Sequence, residues 1–427
     1  MSNFVASRSV PFVTRVAGRH AKDILARDRA RAQKIMQGIN PHGPVAFHEL
    51  RRRRHGHHGH GHGGGGSGTG TGTGGGSGGT GTSPPTSTPG GGVDVTDAGV
   101  TYTASVGVGN PATQYTLLID TGSSNTWVGA DKPYRPTSSS KSTGQRVSVS
   151  YGSGSFSGTE YTDTVSLSSS LVIQNQSIGV ASTAQGFQGV DGILGIGPVD
   201  LTVGTVGGNQ AVPTVTDNLF AQGLIENDSI GIFYQPTTES GAQNGELTFG
   251  GVDTSKITGD VTFVPITSTQ PASMYWGIDQ DLTYGNNTSL LSGSAGIVDT
   301  GTTLLLLATD AFQAYQRATG ATMDNETGLL TLTEQQFSRL QSLFFTIGGT
   351  TFEFTPNAQI WPRALNSTIG GEEGKIYLVA ADLGSPSGQG LDFINGFAFL
   401  QRFYSVYDTS NSQVGLATTP FTTAETN

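Results

Sequence analysis

The sequence predicts a mainly all-β protein of two lobes behind a basic leader. Three observations carry this. Beyond Val93 the chain is a succession of short alternating runs punctuated by Gly, Asn, Asp and Pro, one Asp-Thr-Gly pattern occurs twice, and charge divides sharply near residue 92. Residues 1–92 hold 12 Lys and Arg against 3 Asp and Glu, a net of +9, while residues 93–427 hold 10 against 29, a net of −19. A basic segment of this kind can bind nucleic acid or an anionic membrane, but its simplest partner is the acidic body of its own chain.

Of the 427 residues none is Cys, and all eight His (His20, His42, His48, His55, His57, His58, His60, His62) precede residue 63. The body therefore has no disulfides or thiolate zinc sites, and it cannot assemble a Ser-His-Asp triad, a Cys-His pair or an imidazole-bound metal. Carboxylates, hydroxyls, Lys, Arg and backbone groups remain, and no metal or cofactor is expected.

Taken in order, the first 20 residues carry Arg8, Arg15 and Arg19 and lack an apolar run long enough for a secretion-signal core. No run of 18 apolar residues occurs, so no membrane span is expected. From Ala21 to Met36, the residues Ile24, Leu25, Ile35 and Met36 sit among Lys and Arg at spacings that predict a short basic helix. Arg51–Arg54, a His/Gly alternation over His55–His62 and 16 Gly in residues 63–92 read as a flexible tether. The His/Gly tract could also chelate a transition metal or sense acid, since free His titrates near pH ~6.5. In the body, Val100–Val108, Tyr115–Ile119, Arg146–Tyr151, Leu247–Gly250 and Tyr404–Tyr407 are predicted strands, and Val215–Gln222, Thr309–Thr319 and Glu334–Leu343 are predicted helices.

The repeat carries the chemistry. Leu117-Leu-Ile-Asp-Thr-Gly-Ser-Ser124 and Gly296-Ile-Val-Asp-Thr-Gly-Thr-Thr303 each place Asp-Thr-Gly-hydroxyl after apolar strand residues. Their aspartates are 179 residues apart (299 − 120), about half the body, as two related lobes require. A single copy would read as an Asx-type turn with a conformationally free Gly. Two copies point to paired carboxylates: brought close, they share a proton, one acting as base toward water and the other as acid toward a carbonyl. The Gly of each copy allows close approach of the loops, and the hydroxyls of Ser123 and Thr302 can orient the carboxylates.

These segments resemble the pepsin-like aspartic peptidases, and within them the fungal polyporopepsin group. The resemblance covers roughly Val100–Thr418 and includes Asp120-Thr-Gly-Ser-Ser-Asn-Thr-Trp127, Tyr151-Gly-Ser-Gly-Ser-Phe-Ser-Gly158, Asp191-Gly-Ile-Leu-Gly-Ile-Gly197, Asp299-Thr-Gly-Thr-Thr303 and Phe403-Tyr-Ser-Val-Tyr-Asp408. It implies a bilobal pepsin-like fold, two β-rich lobes with the active-site cleft between them, and Asp120 and Asp299 as the catalytic pair. Thr121, Gly122, Ser123, Thr300, Gly301 and Thr302 would support the pair. Tyr151, Gly152 and Ser153 would form a flap over the substrate, with Trp127 bonded to the Tyr151 hydroxyl and Thr303 as a further substrate contact. Gly192–Gly197 and Ile394–Phe397 would lie behind the two loops. Many relatives have disulfides, which this chain lacks, and Asn395 and Phe397 replace residues that are commonly aliphatic and Asp; none of these differences touches the proposed catalytic residues.

The domain reading is a propeptide-like leader (1–54), a His/Gly-rich linker (55–92) and a pepsin-like domain (93–422), with lobes of about 93–265 and 266–422. The function expected is an aspartic endopeptidase acting at acidic pH, made as a zymogen whose own basic leader is an intramolecular inhibitor. Its partners would be extended protein or peptide substrates and pepstatin-type inhibitors, with no nucleic acid and no membrane span, and it would be a monomer. An extracellular location is expected, with the vacuole as alternative. Sequons at Asn175, Asn227, Asn286, Asn287, Asn325 and Asn366 suit either. Two other readings are a pepsin-fold binding protein that has lost catalysis and a stalked surface protein. The intact pair, glycines and Tyr151 weigh against the first, and the lack of a C-terminal apolar tail weighs against the second.

Overall fold

Period-two alternation drives the body into sheet: along Lys141–Ser150 the only buried residues are Val147 and Val149, and along Leu343–Ile347 every second residue is buried. The structure, a computed structural model, describes residues 8–16, 20–36, 100–152, 154–208 and 210–426. The His/Gly tract and the Arg51–Arg54 run lie outside the described residues.

β1 (Arg8–Val16) comes from the leader, followed by helix α1 (Ala21–Met36). The strands β2 (Val100–Val108) and β3 (Thr113–Asp120) then form an antiparallel pair. A 13-stranded sheet runs from Thr262–Pro265 through Gln413–Thr418, Phe403–Asp408, Ser229–Tyr234 and Gly245–Phe249 to β1, β2 and β3, and then on through Gly192–Gly195. Strands from both halves of the chain therefore share one sheet. A separate seven-stranded sheet contains Thr288–Val298, which leads into the second Asp-Thr-Gly loop.

Around each loop the local architecture repeats. Gly192–Gly195 pairs parallel with β3 and antiparallel with Trp127–Val128. In the same way Phe393–Asn395 pairs parallel with Thr288–Val298 and antiparallel with Leu305–Leu307. Each Asp-Thr-Gly thus emerges from one strand and re-enters its sheet across the same partner. Asn395 is accommodated behind the second loop by donating to the buried Gln280 Oε1 at 2.9 Å.

β1 is an addition to the expected elements. Its residues 8–12 pair with Gly245–Phe249 and residues 13–16 with β2, so the leader strand bridges two parts of the large sheet. Pro11 is tolerated because this half of the strand is paired on one side only, where a missing N–H costs least. Phe12 is the anchor. It is buried against Tyr234 (ring centroids 4.9 Å apart) and Tyr102 (6.1 Å), and a Cβ on its neighbour Gly245 would lie 1.8 Å from the Phe12 ring.

The predicted helix over Ala21–Met36 is present, with Asp23 in its first turn and Lys34 in its last, matching the helix dipole. Val215–Ala221 is capped by reciprocal Thr214 and Asp217 bonds, and Thr309–Thr319 ends at Gly320 with φ +69°. The helix expected over Glu334–Leu343 stops at Phe337: Thr333 and Gln336 form a capping box, but Leu343 opens a strand whose alternate side chains enter the core. No helix among the described residues is long and apolar enough to cross a membrane.

Phe12→Ala removes the anchor of β1. Truncating a buried Phe costs about 3–5 kcal/mol, so the intact chain should lose close to that in denaturant unfolding; a loss below ~1 kcal/mol would show that β1 is not held by this ring.

Candidate active site

Asp120 ends β3 and Asp299 follows Val298, so both carboxylates project from strand ends into one buried centre. Each is held in the same way. Asp120 Oδ1 accepts from Gly122 N (3.0 Å) and Oδ2 from Ser123 Oγ (2.5 Å); Asp299 Oδ1 accepts from Gly301 N (3.1 Å) and Oδ2 from Thr302 Oγ1 (2.7 Å). The loops are locked together by exchanged bonds, with Thr121 N donating to Thr300 Oγ1 (3.0 Å) and Thr300 N to Thr121 Oγ1 (2.9 Å). A Cβ on Gly122 would sit 2.7 Å from Asp299 Oδ1, and one on Gly301 would sit 2.7 Å from Asp120 Oδ1. Any other residue at either position would collide with the opposite carboxylate and with the Arg31 guanidinium.

Tyr151 N donates to Gly154 O (2.7 Å), closing the turn after Lys141–Ser150, and the Tyr151 hydroxyl accepts from Trp127 Nε1 at 2.9 Å. Burial drives the Tyr151 phenol well above its ordinary range, so it stays neutral. Its ring meets Phe187 edge-on, and Trp127 stacks on Phe156 with centroids 4.2 Å apart. Leu118, Tyr151, Phe187, Val190 and Ile193 form the apolar side of a pocket beside Asp120 whose other side is lined by Arg27 and Arg31 of the leader helix.

The leader helix lies across this centre. Arg31 donates from Nη2 to Asp120 Oδ1 (2.6 Å) and Asp299 Oδ1 (3.0 Å), and from Nε to Asp299 Oδ2 (2.7 Å). Burial opposes its charge, but the two carboxylates outweigh that and raise its pKa above the ordinary guanidinium value. Its Nη2 occupies the position between the inner oxygens of the pair. Arg27 Nη2 donates to Gly301 O (3.3 Å), and Lys34 Nζ donates to Tyr151 O (2.9 Å) and Ser150 Oγ (2.5 Å). Lys34 is lowered to about 8, first by burial and then by the Arg31 charge. A Cβ on Gly152 would come within 2.7 Å of Arg31 Cα, so the Tyr151–Gly152 turn rests on the helix backbone.

Asp28 acts in the opposite sense. It is fully buried, its Oδ2 accepts from Thr303 N (3.0 Å) and Leu304 N (2.9 Å), and its Oδ1 has no partner among the described residues. Burial raises it to about 6, against the lowering effects of Arg27 and the two N–H groups.

The structure thus brings together Asp120, Thr121, Gly122, Ser123, Asp299, Thr300, Gly301 and Thr302, and it places Tyr151, Gly152 and Trp127 beside them. Thr303 here engages the leader through its N–H, and Ser153 lies outside the described residues. Arg31, Asp28 and Lys34 were not singled out by sequence reasoning. A signal was available: Asp28 and Arg31 fall at helical spacing on the face of α1 that buries Ile24, Ala32 and Ile35, where charge is out of place unless it has partners.

Residues 101–419 match the eukaryotic aspartyl protease family, and the chain belongs to it: a pepsin-like, bilobal aspartic endopeptidase. It is 64% identical to polyporopepsin from Irpex lacteus over 339 residues, covering 79% of this chain and 99% of that protein. Pepsin A from Sus scrofa is 32% identical over 334 residues, 74% of this chain and 80% of that protein. The crystal structure of the aspartic proteinase from Irpex lacteus superposes with a TM-score of 0.75 at 64% identity, covering 77% of this chain and 96% of that one.

Asp28 gives a pH prediction whose sign is fixed. Its pKa is higher in the docked helix than the ordinary 3.8, so its contribution to docking is full below that value and is lost as pH rises through about 6. Carboxyl-carbon NMR of the intact chain between pH 5 and 8 should show Asp28 titrating near pH 6; an Asp28 that stays ionised throughout would contradict the assignment.

Proposed function

We propose that Asp120 and Asp299 are the catalytic pair of this endopeptidase, that it works at acidic pH, and that residues 93–422 form the peptidase domain inhibited by its own leader. The observation that carries this is the pair itself: two buried carboxylates held by matching loops and both engaged by Arg31.

With the leader gone, the pair shares one proton. The ionised carboxylate takes a proton from a water whose oxygen attacks the scissile carbonyl carbon, while the protonated carboxyl gives its proton to the carbonyl oxygen. The resulting tetrahedral diol collapses when the C–N bond breaks. One diol hydroxyl returns its proton to the pair, and the proton first taken from water passes to the leaving nitrogen, so the singly protonated pair is restored. Ser123 and Thr302 hold the outer oxygens throughout, and Tyr151, tied to Trp127, covers the bound peptide. An extended substrate would place an apolar side chain in the pocket of Leu118, Phe187, Val190 and Ile193.

As synthesised, the chain would be a zymogen. Arg31 requires both carboxylates ionised and fills the position a reacting water needs. Acidification would protonate the pair and withdraw the charges that hold Arg31, and cleavage in the Gly-rich tether would follow. The enzyme would act outside the cell as a monomer on protein or peptide substrates, and pepstatin-type inhibitors would bind the pair through a hydroxyl that mimics the diol.

Two experiments test this. Asp120→Asn and Asp299→Asn, compared with wild type after the leader has been removed, should each lower kcat/KM for peptide cleavage by at least ~10³-fold in a protein that still unfolds cooperatively; an active variant would exclude that residue from the pair. Stepwise acidification of the intact chain should produce a new N-terminus within or near residues 55–99 together with activity, and pepstatin should block both. Full activity at neutral pH without processing would overturn the zymogen reading.

A further inference from the structure

Two residues before Arg31, on the same turn of α1, Arg29 is held by a single residue of the cleft wall. Its Nε donates to the Asp382 main-chain carbonyl at 2.7 Å, and its Nη2 lies 3.3 Å from Asp382 Oδ2. Asp382 closes the strand Ala380–Asp382, which runs parallel to Leu305–Leu307, the strand that follows the second Asp-Thr-Gly loop. One helical turn beyond Arg29, Gln33 Nε2 faces Gly384, so α1 lays one face along the rim formed by residues 382–384.

The two oxygens of Asp382 do different work. Oδ1 accepts from Thr309 Oγ1 (2.6 Å) and Gly384 N (2.9 Å), bonds that tie the start of the helix Thr309–Thr319 to the end of the strand. These bonds lie within the peptidase body and do not involve the leader. Oδ2 and the carbonyl oxygen are turned toward the leader, and together they grip one guanidinium. When the leader departs, both acceptors are left facing the cleft, the carboxylate on a side chain whose rotamer is already set by Thr309 and Gly384.

We infer that Asp382 is a specificity-determining residue of the mature enzyme, selecting an Arg or Lys side chain of an extended peptide near the scissile bond; this rests on the reading that the docked leader occupies the substrate cleft. Arg29 and Arg31 share one helical turn, and an extended peptide advances about 3.3 Å per residue. The selected side chain therefore belongs within about four residues of the cleaved bond. The leader would be using, as a fixed internal ligand, a site that substrates occupy later. Since the Asp382 side chain is 22% exposed even with Arg29 in place, the selection is modest, about fivefold in kcat/KM, as for a partly solvated ion pair.

The test uses the acid-activated enzyme and a set of otherwise neutral peptides with one cleavable bond, in which Arg, Lys or Gln is moved through four positions on each side. The ratio of kcat/KM for Arg over Gln within each protein removes any difference in the amount of folded enzyme. At one position the wild type should prefer Arg and Lys over Gln about fivefold, with the preference shrinking in added salt, and Asp382→Asn should bring the ratio near one. A wild-type ratio near one at every position, or a ratio that survives Asp382→Asn, would overturn the inference alone. Failure of wild type to cleave any peptide, Gln peptides included, would overturn it together with the catalytic pair.

Discussion

The arrangement depends on one guanidinium shared by two buried carboxylates. Asp120 and Asp299 are almost inaccessible to water, and two like charges in such a place repel strongly unless a proton or a cation stands between them. Arg31 supplies that cation. Its planar fork reaches three carboxylate oxygens at 2.6–3.0 Å, whereas an ammonium would act as a single point charge. The loops determine where the fork fits, because the exchanged Thr121 and Thr300 bonds and the missing side chains at Gly122 and Gly301 set the spacing of the pair.

Everything the leader does follows from placing that one group. Phe12 pins β1 against Tyr102 and Tyr234. The apolar face of α1 sets its rotation, and Lys34 holds the Tyr151 turn down over the far end. Asp28 responds to acid in the sense that favours docking. Its buried carboxyl docks the leader onto Thr303 and Leu304 more tightly as pH falls through about 6.

Much of this was legible in the sequence. The repeated Asp-Thr-Gly with its hydroxyl followers, the aromatic turn at Tyr151 and its partner Trp127 are short patterns whose geometry is set by local backbone and by the hydrogen bonds within each loop and between Trp127 and Tyr151. The helix over Ala21–Met36 was readable from periodicity. What escaped were features set by partners remote in sequence. β1 looks unlike a strand because Arg8, Pro11 and Arg15 interrupt it, and it becomes one because Gly245–Phe249 and β2 each offer it an edge. The choice of Arg31 over eleven other leader cations depends on helix rotation, which composition does not reveal. The helix expected past Phe337 lost to core packing of Leu343, Phe345 and Ile347.

Arg31 closes the pair, and binding of a pepstatin-type inhibitor to unprocessed protein near pH 6 measures that closure. Because the inhibitor and the guanidinium compete for the same two carboxylates, the intact wild-type chain should bind it weakly, and Arg31→Gln, with the rest of the leader attached, should bind it at least tenfold more tightly, as removal of one partner from a buried ion pair implies. Equal affinity of the two unprocessed proteins would show that Arg31 does not close the pair.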